Sequence, residues 1–578
     1  MFGDRRAPPL PSTGHHPGTG PRSRGARATE PPQAYPSHPG WEGATISSLR
    51  TYLREHTNPA VFGVSGAVII AFLAIGIVAT DPLLDATTAT RDWISSELGW
   101  LYVLSTTFFL GLAVFMMLSR FGRIRLGPDD SRPEFSTLAW FAMLFTTGMG
   151  IGLVFWGVSE PIHHLTWPRD ADYLVDDGPV PEAANEALAL SLFHWSFHPW
   201  AIYIALGMSL GYFAFRKGLP LRPASALYPL IGERAFGWPG NIVDILAVFG
   251  TIFGLATSLG LGTLQINGGL THVFGIPSNS TVQSVIIIVI TSIALLSVLA
   301  GIDKGIRRLS VINLWLAFLL LVVVFLFGPK LFMISTMTTS AGEYLGNLVP
   351  WSLSFPSPLT DPQAADWTTT WSVFYWGWWI SWAPFVGIFL ARISYGRTIR
   401  EFVIGALFAP VAVSILWFGV FGGSGLYYEL YENAGLAGLD EEDRAFRVMD
   451  LMFSFAPALG DAVSLLLIVV VTIFFVTSSD SGSLVVDTLT NGGDTHPVRW
   501  QRAFWAVAEG AVTLILLVLG GENALEALQA ASVVTGLPFA LILLFMLWGL
   551  GRALAKERVP KLVRPERPTE DQRPPAKP

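Results

Sequence analysis

The sequence alternates long apolar runs with short polar segments. Uncharged stretches, such as those from Ala60 to Thr80, Leu309 to Phe327 and Ala462 to Ser479, recur along the chain. A run of about 20 apolar residues crosses the roughly 30 Å hydrocarbon core of a bilayer as an α-helix. The pattern therefore predicts an all-α membrane protein with about twelve transmembrane helices. The predicted spans lie near residues 59–80, 100–119, 136–158, 186–213, 239–265, 283–300, 311–333, 370–391, 401–425, 456–478, 503–520 and 532–555.

Both ends of the chain depart from this pattern. Residues 1–58 are rich in Pro, Gly, Ser and Arg and contain little apolar surface to bury. Because ordering such a segment costs backbone entropy without compensation, we predict a disordered N-terminal tail. A short C-terminal tail of mixed charge is predicted at 556–578.

Basic residues follow the even-numbered spans, and acidic residues are found in the alternate loops. Arg120 and Arg123 follow the second span and Arg397 and Arg400 follow the eighth, whereas Asp170 lies after the third. Since Lys and Arg are retained on the cytoplasmic side, the pattern predicts that both termini are cytoplasmic. We expect a multi-pass protein of the cell membrane.

The composition supports a membrane location and argues against several classes of function. Of the 578 residues 51% are hydrophobic and only 14% are charged, against roughly 25% charged in soluble domains. A net charge of -7 argues against nucleic acid as a partner, and the absence of cysteine excludes disulfides and thiolate metal sites. No P-loop, dinucleotide fingerprint or paired nucleophile and base is present, so we predict no enzyme and no cofactor.

Two predicted spans contain residues that weaken a helix. The third contains Gly148, Gly150 and Gly152, and the eighth contains Gly377 and Pro384. Backbone groups freed at membrane depth are tolerated only where protein or a water-lined cavity satisfies them, so we predict that both spans are interrupted at a binding site. Close helix packing is the alternative use of small residues.

The two weakened spans are five apart in the order of the chain. This spacing favours two inverted repeats of five helices, each opening with a discontinuous helix. The chain would then divide into two peripheral helices at 59–132, a first repeat at 133–333, a helical extracellular connector at 334–369 and a second repeat at 370–555.

Aromatic residues are concentrated in the middle of two spans. Four on the eighth span lie within about a 100° arc, and three on the fourth lie within roughly 140°. They are Tyr375, Trp378, Trp379 and Trp382, and Trp195, Trp200 and Tyr203. An interfacial belt is the usual place for membrane tryptophan, but belt residues lie near helix ends. Aromatic faces in the middle of the membrane suit a quaternary ammonium group through cation–π attraction. A carboxylate on the same solute would be bound by the free N–H groups of the Gly148 to Gly152 stretch.

Several polar residues leave two interpretations open. The adjacent hydroxyls of Thr477 and Ser478 are either hard ligands for sodium or groups that bond back to their own helix. His194 and His198 lack an evident third ligand, so a packed, hydrogen-bonded pair is favoured over a metal site or proton relay. Glu160 and Asp480 are each either a gating or orienting carboxylate or a solvated interfacial one.

The sequence resembles the betaine/carnitine/choline transporter family from about Ala60 to Arg552. The segments that carry the resemblance are GMGIGLVFWGVSEP from Gly148, HWSFHPWAIY from His194, WSVFYWGWWISWAPFVGIFLARISYGRTIREF from Trp371 and FFVTSSDSGS from Phe474. The resemblance implies a leucine-transporter-like core of two inverted five-helix repeats, two extra N-terminal helices and a homotrimer.

The resemblance also implies a substrate site. By motif position, a central aromatic box would comprise Trp195, Trp200, Tyr203 and Trp379, and Trp378 and Trp382 would serve the same solute as it moves inward. The backbone of Met149, Gly150, Ile151 and Gly152 would contact the carboxylate. The family's sodium site maps onto the carbonyls of Thr146, Met149 and Phe474 and the hydroxyls of Thr477 and Ser478.

One departure from the family pattern concerns a second sodium ion. Sodium-coupled betaine carriers that the sequence resembles use two threonines four apart on the fifth span, where this chain has Thr251 and Leu255. We therefore expect one sodium site and leave the second open.

The function implied is a secondary active symporter that imports a zwitterionic quaternary-ammonium solute, glycine betaine first, with sodium for osmoprotection. The alternative is choline or carnitine transport by proton coupling or exchange. A membrane-embedded enzyme and an osmosensor without transport are the rivals from other classes, and the first would need a titratable constellation near the midplane.

Overall fold

The computed structural model describes residues 57–148, 150–170, 174–175, 178–179, 181–300, 303–494 and 499–559. Within these ranges the regular secondary structure is helical apart from an isolated bridge between Arg125 and Thr398 and one hairpin of two-residue strands, in which β1 (Leu174–Val175) pairs antiparallel with β2 (Gly178–Pro179). The helices are α1 (Pro59–Val78), α2 (Thr80–Trp93), α3 (Gly99–Leu118), α4 (Thr137–Gly148), α5 (Ile151–Thr166), α6 (Ala183–Trp195), α7 (Phe197–Gly211), α8 (Tyr228–Ile231), α9 (Trp238–Phe274), α10 (Ser280–Ala300), α11 (Asp303–Phe327), α12 (Lys330–Ser352), α13 (Pro362–Trp367), α14 (Val373–Ile393), α15 (Ile399–Trp417), α16 (Gly423–Glu432), α17 (Glu441–Met452), α18 (Pro457–Thr490), α19 (Arg499–Gly520) and α20 (Ala524–Ala555).

Ten helical segments in the described part of the chain are long and apolar enough to cross a membrane. They coincide with ten of the twelve predicted spans. The other two predicted spans, the third and the fourth, are each divided into shorter helices, α4 with α5 and α6 with α7. The all-α membrane fold is thus confirmed, and the division into two inverted repeats stays a prediction.

The predicted interruption of the eighth span is wrong. One helical segment runs from Pro362 to Ile393 through Gly377 and Pro384, with a π-helical turn at Thr368–Ser372. The glycines serve close packing, because a Cβ on Gly377 would lie 2.9 Å from the Cα of Val533 in α20, and one on Gly387 would lie 2.7 Å from the Leu206 side chain in α7.

The helices differ strongly in how much of their surface the protein covers. The segments that contain α14 and α9 are 94% and 83% buried, and α14 packs against α7, α9 and α20. By contrast, α1, α10 and α11 are at most one-third buried, and they expose apolar side chains such as Val78 and Trp315. Such surfaces are compatible with lipid, so the polar chemistry is expected near α14 and its neighbours.

Candidate functional site

The third span is interrupted, as predicted, at its glycines. Helix α4 ends at Gly148, α5 begins at Ile151, and Gly150 between them has φ -147° and ψ -133°. No side chain caps the start of α5 within the described residues, so its first N–H groups have no partner inside the helix and carry the positive end of the helix dipole. Met149 lies outside the described part of the chain.

The fourth span is interrupted at Ser196, which the hydrophobic pattern did not predict. Pro199 has no N–H to donate to the Trp195 carbonyl four residues earlier, and that carbonyl accepts from Ser414 Oγ of α15 at 2.9 Å instead. The preceding carbonyl, of His194, accepts from Trp379 Nε1 at 3.0 Å. The proline in this segment was the available signal for the break.

The aromatic faces of the fourth and eighth spans meet. The cluster differs from the predicted box, because Trp378 and Trp382 join it and Trp200 lies outside it, and from here on we call Trp195, Tyr203, Trp378, Trp379 and Trp382 the aromatic box. The ring of Trp195 lies edge-on to those of Trp379 and Trp378, with centroid distances of 4.8 and 6.0 Å. Trp378 and Trp379 stack at 4.4 Å, and Tyr203 lies 6.5 Å from Trp379 and 6.3 Å from Trp382. Trp200 contacts the box through Tyr203, at 5.6 Å.

The interfacial-belt interpretation does not fit these residues. Side chains of a belt face lipid headgroups, whereas Trp195, Trp378 and Trp379 are at most 3% exposed. Trp376, on the opposite side of α14, stacks on His198 at 5.0 Å and lies outside the box. The mid-span aromatic residues therefore form an internal cluster.

The box lies directly against the interrupted third span. A Cβ on Gly152 would lie 2.7 Å from Trp378 Cη2 and 2.8 Å from Trp195 Cη2, so only glycine allows both rings to approach this backbone. The side chain of Ile151 instead packs against Gly262 of α9. The structure thus brings the edges of two tryptophan rings together with the first turn of α5.

Glu160 is not the solvated interfacial carboxylate that the sequence allows, so this alternative is wrong. Its side chain is fully buried and accepts hydrogen bonds on both oxygens. Oε2 accepts from Trp195 Nε1 at 2.6 Å and from the Tyr375 hydroxyl, while Oε1 lies 2.8 Å from His194 Nδ1 and 3.2 Å from His164 Nε2. Glu160 therefore holds one wall of the box, Trp195, in place.

The carboxylate and two imidazoles of this network have the spacing of a metal site, since one ligand atom from each of Glu160, His164 and His194 lies within 4.8 Å of the others. The hydrogen bonds exclude that use in this arrangement. The indole of Trp367 can only donate, so His164 Nδ1 accepts from it at 3.3 Å and the ring proton is on Nε2. With the proton on Nε2 and the Nδ1 lone pair used in the bond from Trp367, His164 has no lone pair left for a metal ion.

His194 and His198 do not form the predicted pair with each other. His194 Nε2 bonds Ser372 Oγ at 3.0 Å, and His198 Nε2 bonds Ser352 Oγ at 2.8 Å. Each ring is buried and packed, as the favoured interpretation expected, but each has its own hydroxyl partner on a different helix.

Three of the five predicted sodium ligands, Phe474, Thr477 and Ser478, lie on α18 where it passes the interrupted third span. A Cβ on Gly150 would lie 3.9 Å from the ring of Phe474, and Thr477 is one turn further along α18. Thr477 Oγ1 donates to the Ile473 carbonyl at 2.9 Å and is 9% exposed as a residue, and Ser478 is half-buried. The Thr146 side chain, like Met149, lies outside the described residues.

A cavity of about 360 Å³ lies beside the box. Its lining includes Arg91, Asp366, Thr369 and Phe374, and the Phe374 ring stacks on Trp378 at 5.6 Å. By the predicted topology this cavity is on the outer side of the membrane.

Comparison with known proteins decides the family. The model of the betaine/carnitine/choline family transporters matches residues 60–559. The chain belongs to this family. It is 44% identical over 507 residues to a glycine betaine transporter of Vibrio parahaemolyticus, covering 87% of this chain and 94% of that protein. It is 43% identical over 501 residues to a glycine betaine transporter of Acinetobacter baylyi, covering 86% of this chain and 73% of the relative.

A third relative of the betaine/carnitine/choline family has a broader description. It is a glycine betaine/proline/choline/ectoine transporter of Vibrio parahaemolyticus, 42% identical over 509 residues, with 86% of this chain and 87% of that protein covered. Family membership confirms the sequence interpretation that this chain is a multi-pass membrane transporter of the betaine/carnitine/choline family and not an enzyme.

Proposed function

We propose that this protein is a sodium-coupled symporter that imports glycine betaine for osmoprotection. The observation that carries the proposal is the contact between Gly152 and the rings of Trp195 and Trp378. It brings together the two kinds of group that a betaine needs, aromatic rings and the backbone N–H donors at a helix N-terminus without a side-chain cap.

The chemistry of the solute matches both ends of this site. A trimethylammonium group has no proton to donate, so cation–π attraction and size are the means of recognising it. The buried rings of Trp195, Trp378 and Trp379 supply both. The solute carboxylate is expected at the start of α5, where a helix N-terminus without a side-chain cap favours an anion.

Sodium coupling is supported by the position of Thr477. Its hydroxyl proton is used in a bond to the Ile473 carbonyl, but the oxygen keeps lone pairs that a small hard cation can use. One sodium ion entering with a zwitterion at a membrane potential of about 100 mV contributes roughly 2.3 kcal/mol to accumulation. Sodium entry is therefore an adequate driving force.

Uptake by the purified protein in lipid vesicles tests the solute and the ion together. We expect labelled glycine betaine to accumulate with inward sodium and an inside-negative potential. Equally fast uptake in sodium-free potassium buffer would overturn the coupling, and absence of betaine uptake in every buffer would overturn the solute assignment.

Replacing both Thr477 and Ser478 by Ala tests the proposed ligands. We expect the sodium concentration for half-maximal uptake to rise, while Thr472→Ala leaves it unchanged. Thr472 is a matched control because its hydroxyl also bonds back within α18, to the Ile468 carbonyl. Equal effects of the two changes would place the ion elsewhere.

Choline or carnitine is the second candidate solute, and the description of one relative names choline among its substrates. Choline leaves the N–H donors of α5 without a carboxylate, so we expect it to compete less well than betaine. Competition by betaine, choline, carnitine, ectoine and proline, with and without sodium, ranks the candidates.

We further propose that both termini are cytoplasmic and that the protein is a homotrimer. The chain contains no cysteine, so single introduced cysteines report membrane sidedness without background. A thiol at exposed Asp130 should react from the cytoplasmic side, and one at exposed Ser357 from the outside. Native mass measurement in detergent gives the oligomeric state.

A further inference from the structure

A second buried carboxylate lies away from the aromatic box, in α19. Glu509 is fully buried, and its carboxyl group occupies the space above Gly482 of α18. A Cβ on Gly482 would lie 3.2 and 3.4 Å from the two Glu509 oxygens and 2.3 Å from Leu255 Cδ1 of α9. The carboxyl group is thus enclosed between three transmembrane helices.

Neither oxygen of Glu509 has a hydrogen-bond partner among the described residues. The hydroxyl of Ser479 on α18 lies near the Glu509 carboxyl group, but no well-formed hydrogen bond joins these two side chains. An ionised carboxylate in such a place would lose its hydration without replacement, which is the costliest arrangement for a charge in a membrane.

The charged groups near Glu509 do not neutralise it. They are Asp480 of α18 and Arg502, two turns earlier on α19, and these two form their own ion pair with Arg502 Nη2 at 2.8 Å from Asp480 Oδ2. The other helices packed on α19, including α9, α10 and α20, bring no further charged group of the described chain to bear on the carboxyl group. With the pair counted as neutral, an ionised Glu509 would be one uncompensated negative charge.

Binding of one cation would neutralise that charge, and the surroundings of Glu509 favour a proton over a metal ion. A hard metal ion takes about six oxygen ligands, whereas the uncharged groups shown beside the Glu509 carboxyl group are the Ser479 hydroxyl and Gly482, with the Leu255 side chain next to that glycine. A proton needs no ligand shell. It converts the carboxylate to a neutral acid that this apolar space accommodates.

We propose that Glu509 is a proton-binding site in the membrane interior, and that transport requires the proton to be bound. The site is distinct from the aromatic box and from Thr477, so it does not depend on which solute or coupling ion the proposed function assigns. Proton binding leaves covalent structure unchanged apart from the new O–H bond of the acid.

Infrared difference spectroscopy on the purified protein tests occupancy directly. We expect a carbonyl band of a protonated carboxylic acid near neutral pH that shifts in deuterium oxide, disappears in Glu509→Gln and persists in Glu526→Gln. Glu526 is a matched control because it is an exposed carboxylate at the start of α20. No difference between the parent and Glu509→Gln in this band would overturn the proposal.

Uptake as a function of pH tests the requirement for the proton. In the parent we expect betaine uptake to fall several-fold as the pH is raised into the alkaline range where the carboxylic acid band is lost. Glu509→Gln, which is permanently neutral, should lose this dependence, and Glu509→Asp should keep it. A parallel pH dependence in the parent and Glu509→Gln would contradict a requirement for the proton.

The same band measured with and without sodium separates a proton from a metal ion. A proton site keeps the band in both conditions at neutral pH. A band that vanishes on adding sodium would show that the carboxylate binds the metal ion, and would overturn the assignment. Since the band needs no transport, the proposal can fail while betaine symport stands, and the reverse also holds.

Discussion

At the scale of single residues, two indoles of the box, those of Trp195 and Trp379, combine a ring face with a hydrogen-bonded N–H. Trp379 lies at the centre of the box and donates to the His194 carbonyl, while Trp195 donates to Glu160. These bonds fix the ring planes, so the two rings are pre-organised rather than assembled on binding.

Trp379→Leu is expected to weaken betaine binding by about 2 kcal/mol, because it removes the ring quadrupole from a desolvated site. Trp376→Leu is the matched control: it is also a fully buried tryptophan of α14, but it stacks on His198 outside the box. Both changes should lower the melting temperature, whereas only the first should raise the betaine dissociation constant. Equal loss of betaine affinity would contradict the assignment of faces.

Gly152→Ala is expected to abolish or strongly reduce uptake, since its Cβ would lie under 3 Å from the Trp195 and Trp378 rings. The rings must then move, and the box loses its shape. Gly111→Ala in α3, where a Cβ meets nothing within 4 Å, should leave uptake unchanged. Uptake rates normalised to protein in the membrane distinguish the two, and a fully active Gly152→Ala would show that the close approach is not needed.

At the scale of elements, the breaks in the third and fourth spans leave backbone groups free to bond to partners outside their own helix, which continuous helices do not. The break at Ser196 frees the carbonyls of His194 and Trp195, and these are bonded by Trp379 of α14 and Ser414 of α15. A helix end inside the membrane thereby holds a ring of the box and ties three helices together.

The end of α20 is tied to the end of α7 by ion pairs outside the membrane. Glu557 bonds Arg216 at 2.9 Å and Lys217 at 2.6 Å, and these hydrogen bonds and charges lower the pKa of its carboxyl group to about 2. A depressed folded-state pKa stabilises the fold above the unfolded pKa of about 4.3, and the contribution is lost as the pH falls toward about 2.

We therefore expect Glu557→Gln to lower the melting temperature near neutral pH, with the difference from the parent shrinking as the pH falls through this window. Asp129→Asn removes the other carboxylate bonded to Arg216 and should have a smaller effect, because Asp129 is mostly exposed. Thermal unfolding in detergent across the pH range measures both. A difference that grows on acidification would contradict a stabilising role for the ionised Glu557 carboxylate.

At the scale of the whole molecule, polar chemistry is confined to the helices that other helices cover. The segment holding α14 is 94% buried, and the box, the Glu160 network and the contact with α5 all involve it or its immediate neighbours. By contrast, α1, α10 and α11 are much less buried. We expect a solute to reach the box along a path between helices, with the cavity beside Phe374 at the outer end of that path.

Thr369→Cys places a thiol in the lining of that cavity. Binding of betaine with sodium should slow its reaction with a membrane-impermeant reagent, because alternating access requires the outer path to close around a bound solute. A thiol at Ser357, which is exposed and does not line the cavity, should react at the same rate in both conditions. Unchanged reactivity at position 369 would indicate that this cavity is not on the path.

Properties that depend on neighbouring residues along the chain could be predicted from the sequence. The lengths of the apolar runs determine that this is a multi-span helical protein, and glycine clustering located the break at Gly148 to Gly152. The spacing of aromatic residues around a helix placed Trp378 and Trp379 on one face and Trp376 on the other.

Properties that depend on which helices become neighbours were decided by the tertiary structure. Helical periodicity does not say whether Gly377 faces empty space or the backbone of α20, so an interruption was predicted where close packing occurs. Nor does it give burial: Glu160 lies near the end of an apolar run but is enclosed by α6 and α14, and Glu509 is enclosed by α9 and α18. The cost of a buried carboxyl group depends on the donors and charges that other helices bring to it, and these come from residues far away in the chain.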